Sequence, residues 1–193
     1  MPHLTSIMNS KEEKLYIKRI LDGETELYAC FLESYSRSIY SLVIQIVSSA
    51  EDAEEIVQDV FLKAFKSLYT YRGDSSFSTW LYRIAYNMAI GFTRKKKHDF
   101  LAIEESIINN VPDDKADSVL FPSEDEEKIM ELTAAIEKLT PEEKAIITLF
   151  YYEEKSIDET AEITKLSVAN VKVRLHRIRK KLYVLLKGDD DGK

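Results

Sequence analysis

Two stretches of this chain gather cationic side chains with no carboxylate among them. Phe77–Lys97 reads FSTWLYRIAYNMAIGFTRKKK and Ser167–Lys187 reads SVANVKVRLHRIRKKLYVLLK; neither contains Asp or Glu, although the chain has 34 acidic against 27 basic residues. Cations set apart in this way are the electrostatic footprint of a protein that meets a polyanion at two places while its remaining surface repels it. A formal net charge of −7 argues against a general coater of nucleic acid. It suits a DNA affinity that is weak alone and completed by a partner.

On a helical wheel centred on Val171, the residues Val168, Leu175, Ile178, Leu182 and Leu185 fall within about 60° and predict a core-facing stripe. Lys172, Val173, His176, Arg177 and Lys180 take the opposite side, with Asn170 at the flank. A short predicted helix, Ser156–Thr164, precedes this one across Lys165-Leu166-Ser167. A short helix, a tight turn and a longer helix with an apolar back and a basic front make a helix-turn-helix. In that motif the first residues of the second helix reach base edges, and cations further along hold phosphate.

In the other basic stretch, Phe77, Leu81, Ile84, Ala85, Met88 and Phe92 line one side of a predicted helix. Arg83, Tyr86, Asn87, Ile90 and Arg94 project from the other. An aromatic and an amide among cations suit unstacked bases, since rings offer π-platforms and Asn can read a base edge. Trp80, Tyr82 and Tyr86 are equally compatible with packing. The helix before it, DAEEIVQDVFLKAFKSL, has a core stripe of Ala53, Val57, Val60, Phe61, Ala64 and Leu68. Its opposite face carries Glu51, Glu55, Gln58 and Asp59 around an outward Leu62. An acidic face cannot hold DNA, and a leucine ringed by carboxylates points to a basic protein partner with an apolar pocket.

Other chemistries find little support. Cys30 stands alone, which excludes a disulfide framework or a cysteine-based metal site and fits a reducing cytoplasm. No Gly-rich phosphate loop occurs, and three scattered His assemble neither a nucleophile–base pair nor a metal site, so neither a cofactor nor catalysis is expected. His176 is better placed for a base or phosphate contact. Glu12-Glu13 and Glu153-Glu154 read as solvated helix faces. No apolar run approaches the ~20 residues of a membrane span, and MPHLTSIMNSKEEK lacks a signal-peptide core. A cytoplasmic location without membrane insertion is expected.

The elements that must position these residues are helices. Few Gly and Pro alongside abundant Glu, Lys, Leu, Ile and Ala predict an all-α protein of two small helical domains. The first spans residues 11–98. Leu15, Ile17, Ile20, Leu21, Leu27, Phe31, Leu32, Ile39, Leu42, Val43 and Ile46 recur at helical intervals, broken at Asp22-Gly23-Glu24. Ser48-Ser49 opens the helix that carries Leu62, and the loop Tyr69–Ser76 follows it. Residues 99–127 are acidic, lack sustained periodicity and contain Pro112 and Pro122. They read as a flexible tether, with Leu120 and Phe121 as docking points. The second domain spans 128–187, with capping boxes at Thr140/Glu143 and Ser156/Glu159 and Pro141 at a first helical position. A disordered tail is expected over 188–193. The acidic tether is compatible with a free form in which the two domains pack together and hide both basic faces.

Together these pieces resemble the extracytoplasmic-function (ECF) sigma factors, the small promoter-specificity subunits of bacterial RNA polymerase. DAEEIVQDVFLKAF resembles region 2.2, which docks on the β′ clamp helices. YRGDSSFSTWLYRIAYNMA resembles regions 2.3 and 2.4, which capture the melted −10 element. LTPEEKAIITLFYYEEKSIDETAEI with VKVRLHRIRKKL resembles region 4, which reads the −35 duplex beside the β flap. The resemblance implies a polymerase contact at Asp52, Glu55, Gln58, Asp59 and Leu62. It implies a base pocket at the Tyr69–Ser76 loop with Tyr71, and non-template strand contacts at Arg83, Tyr86, Asn87 and Arg94. It implies −35 contacts at Asn170, Lys172, Val173, His176, Arg177 and Lys180, with Arg174 and Arg179 on phosphate or scaffold. Core polymerase, promoter DNA and, as a further candidate, an anti-sigma protein are the implied partners.

Three departures from the family pattern fall at four positions. Gly91 stands where Asp is usual, Lys165 where Gly usually makes the turn, and Asn170 and Val173 where small polar residues are frequent. A helix-turn-helix regulator that binds operator DNA unaided explains residues 156–187 but leaves the first hundred residues without a task.

Overall fold

The computed structural model describes residues 8–95, 105–117 and 126–190, and among them every regular element is a helix. Helix α1, Ser10–Leu21, opens with a capping box between Asn9 and Glu12, and ends at Asp22 with Gly23 at φ +115°. After a 3₁₀ turn at Thr25–Leu27 come α2, Tyr28–Val47, and α3, Ala50–Ser67. Ser48 closes α2 in the left-handed conformation and Ser49 caps α3 by accepting from the Asp52 backbone N–H, so the two serines turn the chain back within two residues. Helix α4, Phe77–Lys95, completes the first unit. Phe31, Ile39, Leu42, Val43, Val60, Ala64, Phe77, Leu81 and Ala85 form its interior. Each large apolar side chain buried there contributes about 1.5–3 kcal/mol of transfer free energy.

Helices α5, Glu105–Asn109, and α6, Asp113–Asp117, lie within the acidic stretch. Within the stretch read as a flexible tether, Ile108, Val111 and Ala116 are buried, and both short helices pack on the last helix. Three apolar residues at irregular spacing carry no helical period, yet together they cover one side of a neighbour. Leu120 and Phe121 lie outside the described residues.

Helices α7, Glu126–Glu137, α8, Pro141–Ile147, α9, Ile157–Thr164, and α10, Val168–Asp190, make the second unit. A π-helical turn, Thr148–Tyr152, continues α8. Both expected capping boxes form, at Thr140/Glu143 with Pro141 in the first turn and at Ser156/Glu159. Leu132, Ile136, Leu139, Ile146, Val171, Leu175, Ile178 and Leu182 fill the core. Helix α10 runs to Asp190, past Lys187, so the expected tail begins as helix; residues 191–193 lie outside the described ones.

The two units are joined by more than the tether. Ala145, Leu149 and Ile163 of the second unit enter the core of the first, bringing α8 and α9 against α2 and α4. This contact explains why Ile90, placed outward by periodicity, is 3% exposed, and why Tyr82 is buried too. Trp80 and Tyr82 are thus packing residues. Glu13, expected on a solvated face, is buried and accepts the Tyr35 hydroxyl. Cys30 is half-buried.

Gly91 sits inside α4 without positive φ, and open space surrounds the point where a Cβ would stand. Nothing in the backbone requires glycine there. Gly91→Ala is expected to stabilise the fold by about 1 kcal/mol, a rise of roughly 2–4 °C in Tm. An unchanged or lower melting temperature would show that the neighbouring unit depends on the gap.

Candidate nucleic-acid interface

The turn between α9 and α10 is built from Lys165, Leu166 and Ser167. Lys165 takes the left-handed conformation at φ 58° and ψ 31°, and its N–H donates to the Ala161 carbonyl. The lysine thus accepts the backbone that glycine usually supplies, and the turn keeps its shape. Ser167 Oγ then accepts from the Asn170 N–H at 3.2 Å and caps α10. Left-handed geometry costs a side-chain-bearing residue roughly 1–2 kcal/mol. Lys165→Gly should recover about 1 kcal/mol after glycine's greater unfolded-state entropy is subtracted, seen as a higher urea midpoint at constant slope. A lower midpoint would mean that the lysine side chain supports the turn.

Helix α10 projects Asn170, Lys172, Val173, Arg174 and Arg177 into solvent on one side, while Val171, Leu175 and Ile178 hold the other in the core. Val168, in the first turn of α10, is exposed rather than part of the apolar stripe. His176 and Lys180 are placed differently from the others. Both face the tether, where Asp113 lies 2.8 Å from Lys180 Nζ and 3.4 Å from His176 Nε2. The hydrogen bond from Lys180, then its charge and those of His176 and Arg179, hold the Asp113 carboxyl below its ordinary range.

On α4, Arg83, Tyr86, Asn87 and Arg94 share the side turned toward the second unit. Arg83 meets Glu162 at 3.5 Å and Arg94 meets Glu142 at 3.9 Å. Asn87 is exposed, with its amide nitrogen donating to the Arg83 carbonyl. Tyr86 is half-buried; desolvation raises its phenol pKa first and Glu142 raises it further, while Arg174 and Arg94 act in the opposite sense.

Tyr71 is built into the loop before α4. Its ring stands edge-on to Phe77 with centroids 5.7 Å apart, lies 5.5 Å from Trp80, and its hydroxyl donates to the Ser75 carbonyl. Beside it a cleft is lined by Lys14, Lys18, Ile17, Leu21 and Arg72. The lysines of α1 went unremarked in the sequence because α1 lies far from the loop along the chain. Tyr69, 76% exposed, is the freest aromatic near this loop and was equally unmarked.

The outer face of α3 presents Glu55, Gln58, Asp59 and Leu62 to solvent, with Asp52 half-buried at one end. Leu62 is 50% exposed and stands on an open groove of about 690 Å³ with Leu32, Val57, Phe61 and Phe65. Leu32 and Phe65 were missed as surface residues, the former because helical spacing counts it with the core. Among the described residues no cluster able to hold a metal ion is present, and no helix is long and apolar enough to cross a membrane.

Two family models match this chain: sigma-70 region 2 over residues 31–98 and sigma-70 region 4 over residues 129–182. The ECF RNA polymerase sigma factor SigW of Bacillus subtilis is 33% identical over 88% of this chain and 94% of its own. The ECF RNA polymerase sigma-E factor of Escherichia coli is 31% identical over 86% of this chain and 90% of its own. The chain belongs to the ECF sigma factors. In fold, the sigma factor is similar to CnrH, solved with the cytosolic domain of CnrY, at TM-score 0.66 and 20% identity over 91% and 97% of the two chains. It is also similar to RpoE of Bartonella quintana, solved with the anti-sigma factor NepR, at TM-score 0.60 and 22% identity over 81% and 94%. As a sigma factor it serves transcription initiation, and its relatives are regulators of transcription rather than enzymes.

Proposed function

We propose that this sigma factor docks on the β′ clamp helices of core RNA polymerase through α3, with Asp52, Glu55, Gln58, Asp59 and Leu62 in contact. With region 4 beside the β flap, α10 reads the −35 duplex and α4 with the Tyr69–Ser76 loop holds the melted −10 strand. The observation that carries this reading is the α9–turn–α10 geometry. It sets Asn170, Lys172, Val173, Arg174 and Arg177 outward on a capped helix that has no carboxylate between Val168 and Lys187. Asn170, Lys172 and Val173 stand at the N-terminal end that enters the major groove in such motifs. Arg177, further along, suits a base edge or a phosphate. Tyr71 shapes the −10 pocket by bracing the loop on Phe77 and Trp80, while Arg83 and Arg94 supply charge for the strand. Strand capture stabilises the melted state through binding alone, so no nucleotide hydrolysis is called for. An anti-sigma protein is a further proposed partner, from family membership.

The test is to mix the purified protein with bacterial core polymerase and map transcript starts on genomic DNA. Discrete starts preceded by a shared pair of elements support the reading. Tight operator binding without any effect on polymerase would replace it with that of an independent helix-turn-helix regulator.

A further inference from the structure

The opening turns of α10 carry an apolar pair that the fold does not bury. Val173 is 56% exposed, and Ala169, one turn before it, is exposed as well. At about 100° per residue the two lie about 40° apart, while Val171 and Ile178, both in the core, stand roughly 180–200° from Ala169. The pair therefore points away from the unit that carries it. Lys172 and Arg174, exposed too, flank it on either side. Asn170 completes the patch: its backbone N–H donates to Ser167 Oγ at 3.2 Å, whereas its side-chain amide has no partner among the described residues. A single exposed aliphatic side chain on a protein surface means little. An aliphatic pair beside an unpaired amide, on the helix end that enters the major groove, is matched to a particular base edge.

In the major groove thymine alone presents a methyl group; cytosine presents an amino donor, and adenine an acceptor beside a donor. A donor or acceptor pressed against valine would lose its water and gain no partner. An amide, by contrast, accepts from the adenine amino group and donates to the neighbouring ring nitrogen. We propose that Ala169 and Val173 form a seat for a thymine methyl and that Asn170 reads adenine, so the −35 element of this sigma factor contains an A·T step where α10 begins. The inference deepens the DNA-binding reading given above and rests on it. Asn170 and Val173 are about 4.5 Å apart along the helix axis and base pairs stack about 3.4 Å apart, so the two side chains reach the same or neighbouring pairs. The valine is pre-set for the contact, because a β-branched side chain in a helix holds one strongly preferred χ1 rotamer and loses little freedom on binding. Its direction is fixed as well, since the Ser167 cap and the burial of Val171 and Leu175 set the rotation of the helix.

The test removes the methyl group from the DNA. Deoxyuridine pairs as thymidine does but lacks the 5-methyl group. Promoter fragments defined by transcript mapping carry deoxyuridine at each −35 thymine in turn, on either strand, and their affinity for core polymerase loaded with the full-length protein is measured by competition. At one thymine the wild-type complex should lose about fourfold in affinity, the worth of one buried methyl group. Val173→Ala should lose at least as much on the unmodified promoter and show no further loss with deoxyuridine at that position. Asn170→Ala should lose discrimination, by about 5- to 150-fold, at an adenine in the same pair or within two pairs of that thymine. Both side chains are exposed, so the variants should keep the wild-type melting curve. A −35 element without an A·T pair, no deoxyuridine effect at any thymine, or an equal effect in Val173→Ala and wild type overturns the inference. If initiation still depends on the −35 element, those results remove the thymine seat alone; a wild-type protein that supports no initiation on any promoter removes the reading beneath it.

Discussion

Leu62→Glu is expected to abolish stable capture of core RNA polymerase, raising Kd at least about thirtyfold, while leaving the fold intact. Leu62 stands half-exposed beside Leu32, Val57 and Phe65, flanked by Glu55, Gln58 and Asp59. That arrangement matches the central residue of an interface, an apolar anchor within a polar rim. Loss of such an anchor costs about 2 kcal/mol or more, and a carboxylate forced into an apolar pocket adds its own desolvation. The side chain is too exposed to carry stability, so a surface change of this kind should shift folding by no more than about 0.5 kcal/mol. The readout is a pull-down with core polymerase, accompanied by a melting curve. Capture at wild-type strength would take α3 out of the interface.

Leu62 also shows what local sequence can and cannot reveal. Its exposure followed from periodicity, since a leucine between Asp59 and Lys63 on an otherwise packed helix has only one face left. The caps at Thr140 and Ser156, the turn at Lys165 and the buried row Val171, Leu175, Ile178, Leu182 were legible for the same reason: each depends on residues within a turn or two. The second side of α4 was not legible. Ile90 and Tyr82 are buried by α8 and α9, which arrive from some sixty residues further along. No local pattern records that a helix is covered twice, and tyrosine and threonine serve either face. The same holds for the Asp113 contact with Lys180 and His176, formed by a short helix whose period is too brief to detect. Within the candidate site, the exposed row on α10 was readable, whereas the pairing of Arg83 and Arg94 with Glu162 and Glu142 was not.

Lys172→Ala and Arg177→Ala should each reduce initiation from promoters that depend on the −35 element by about 5- to 150-fold if a base edge is lost, a cost of about 1–3 kcal/mol. Both residues lie on the outward side of α10, and neither lies in the stripe that packs against α8 and α9. Their removal therefore leaves the helix and the α3 face in place, and polymerase capture should remain at wild-type strength. Two measurements separate the roles. A base-reading residue changes which −35 sequences are used, so its loss flattens discrimination among variant promoters. A phosphate-holding residue weakens all sequences alike and lowers the slope of log K against log salt by about one. Lys172, near the start of α10, is expected to show the first pattern, because the opening turns of the helix enter the groove. Arg177, about one and a half turns further on, is expected to combine a smaller loss of discrimination with the reduced salt slope. Unchanged promoter choice and salt dependence in both variants would remove this face of α10 from the DNA and leave the more buried His176–Lys180 side as the surface to test.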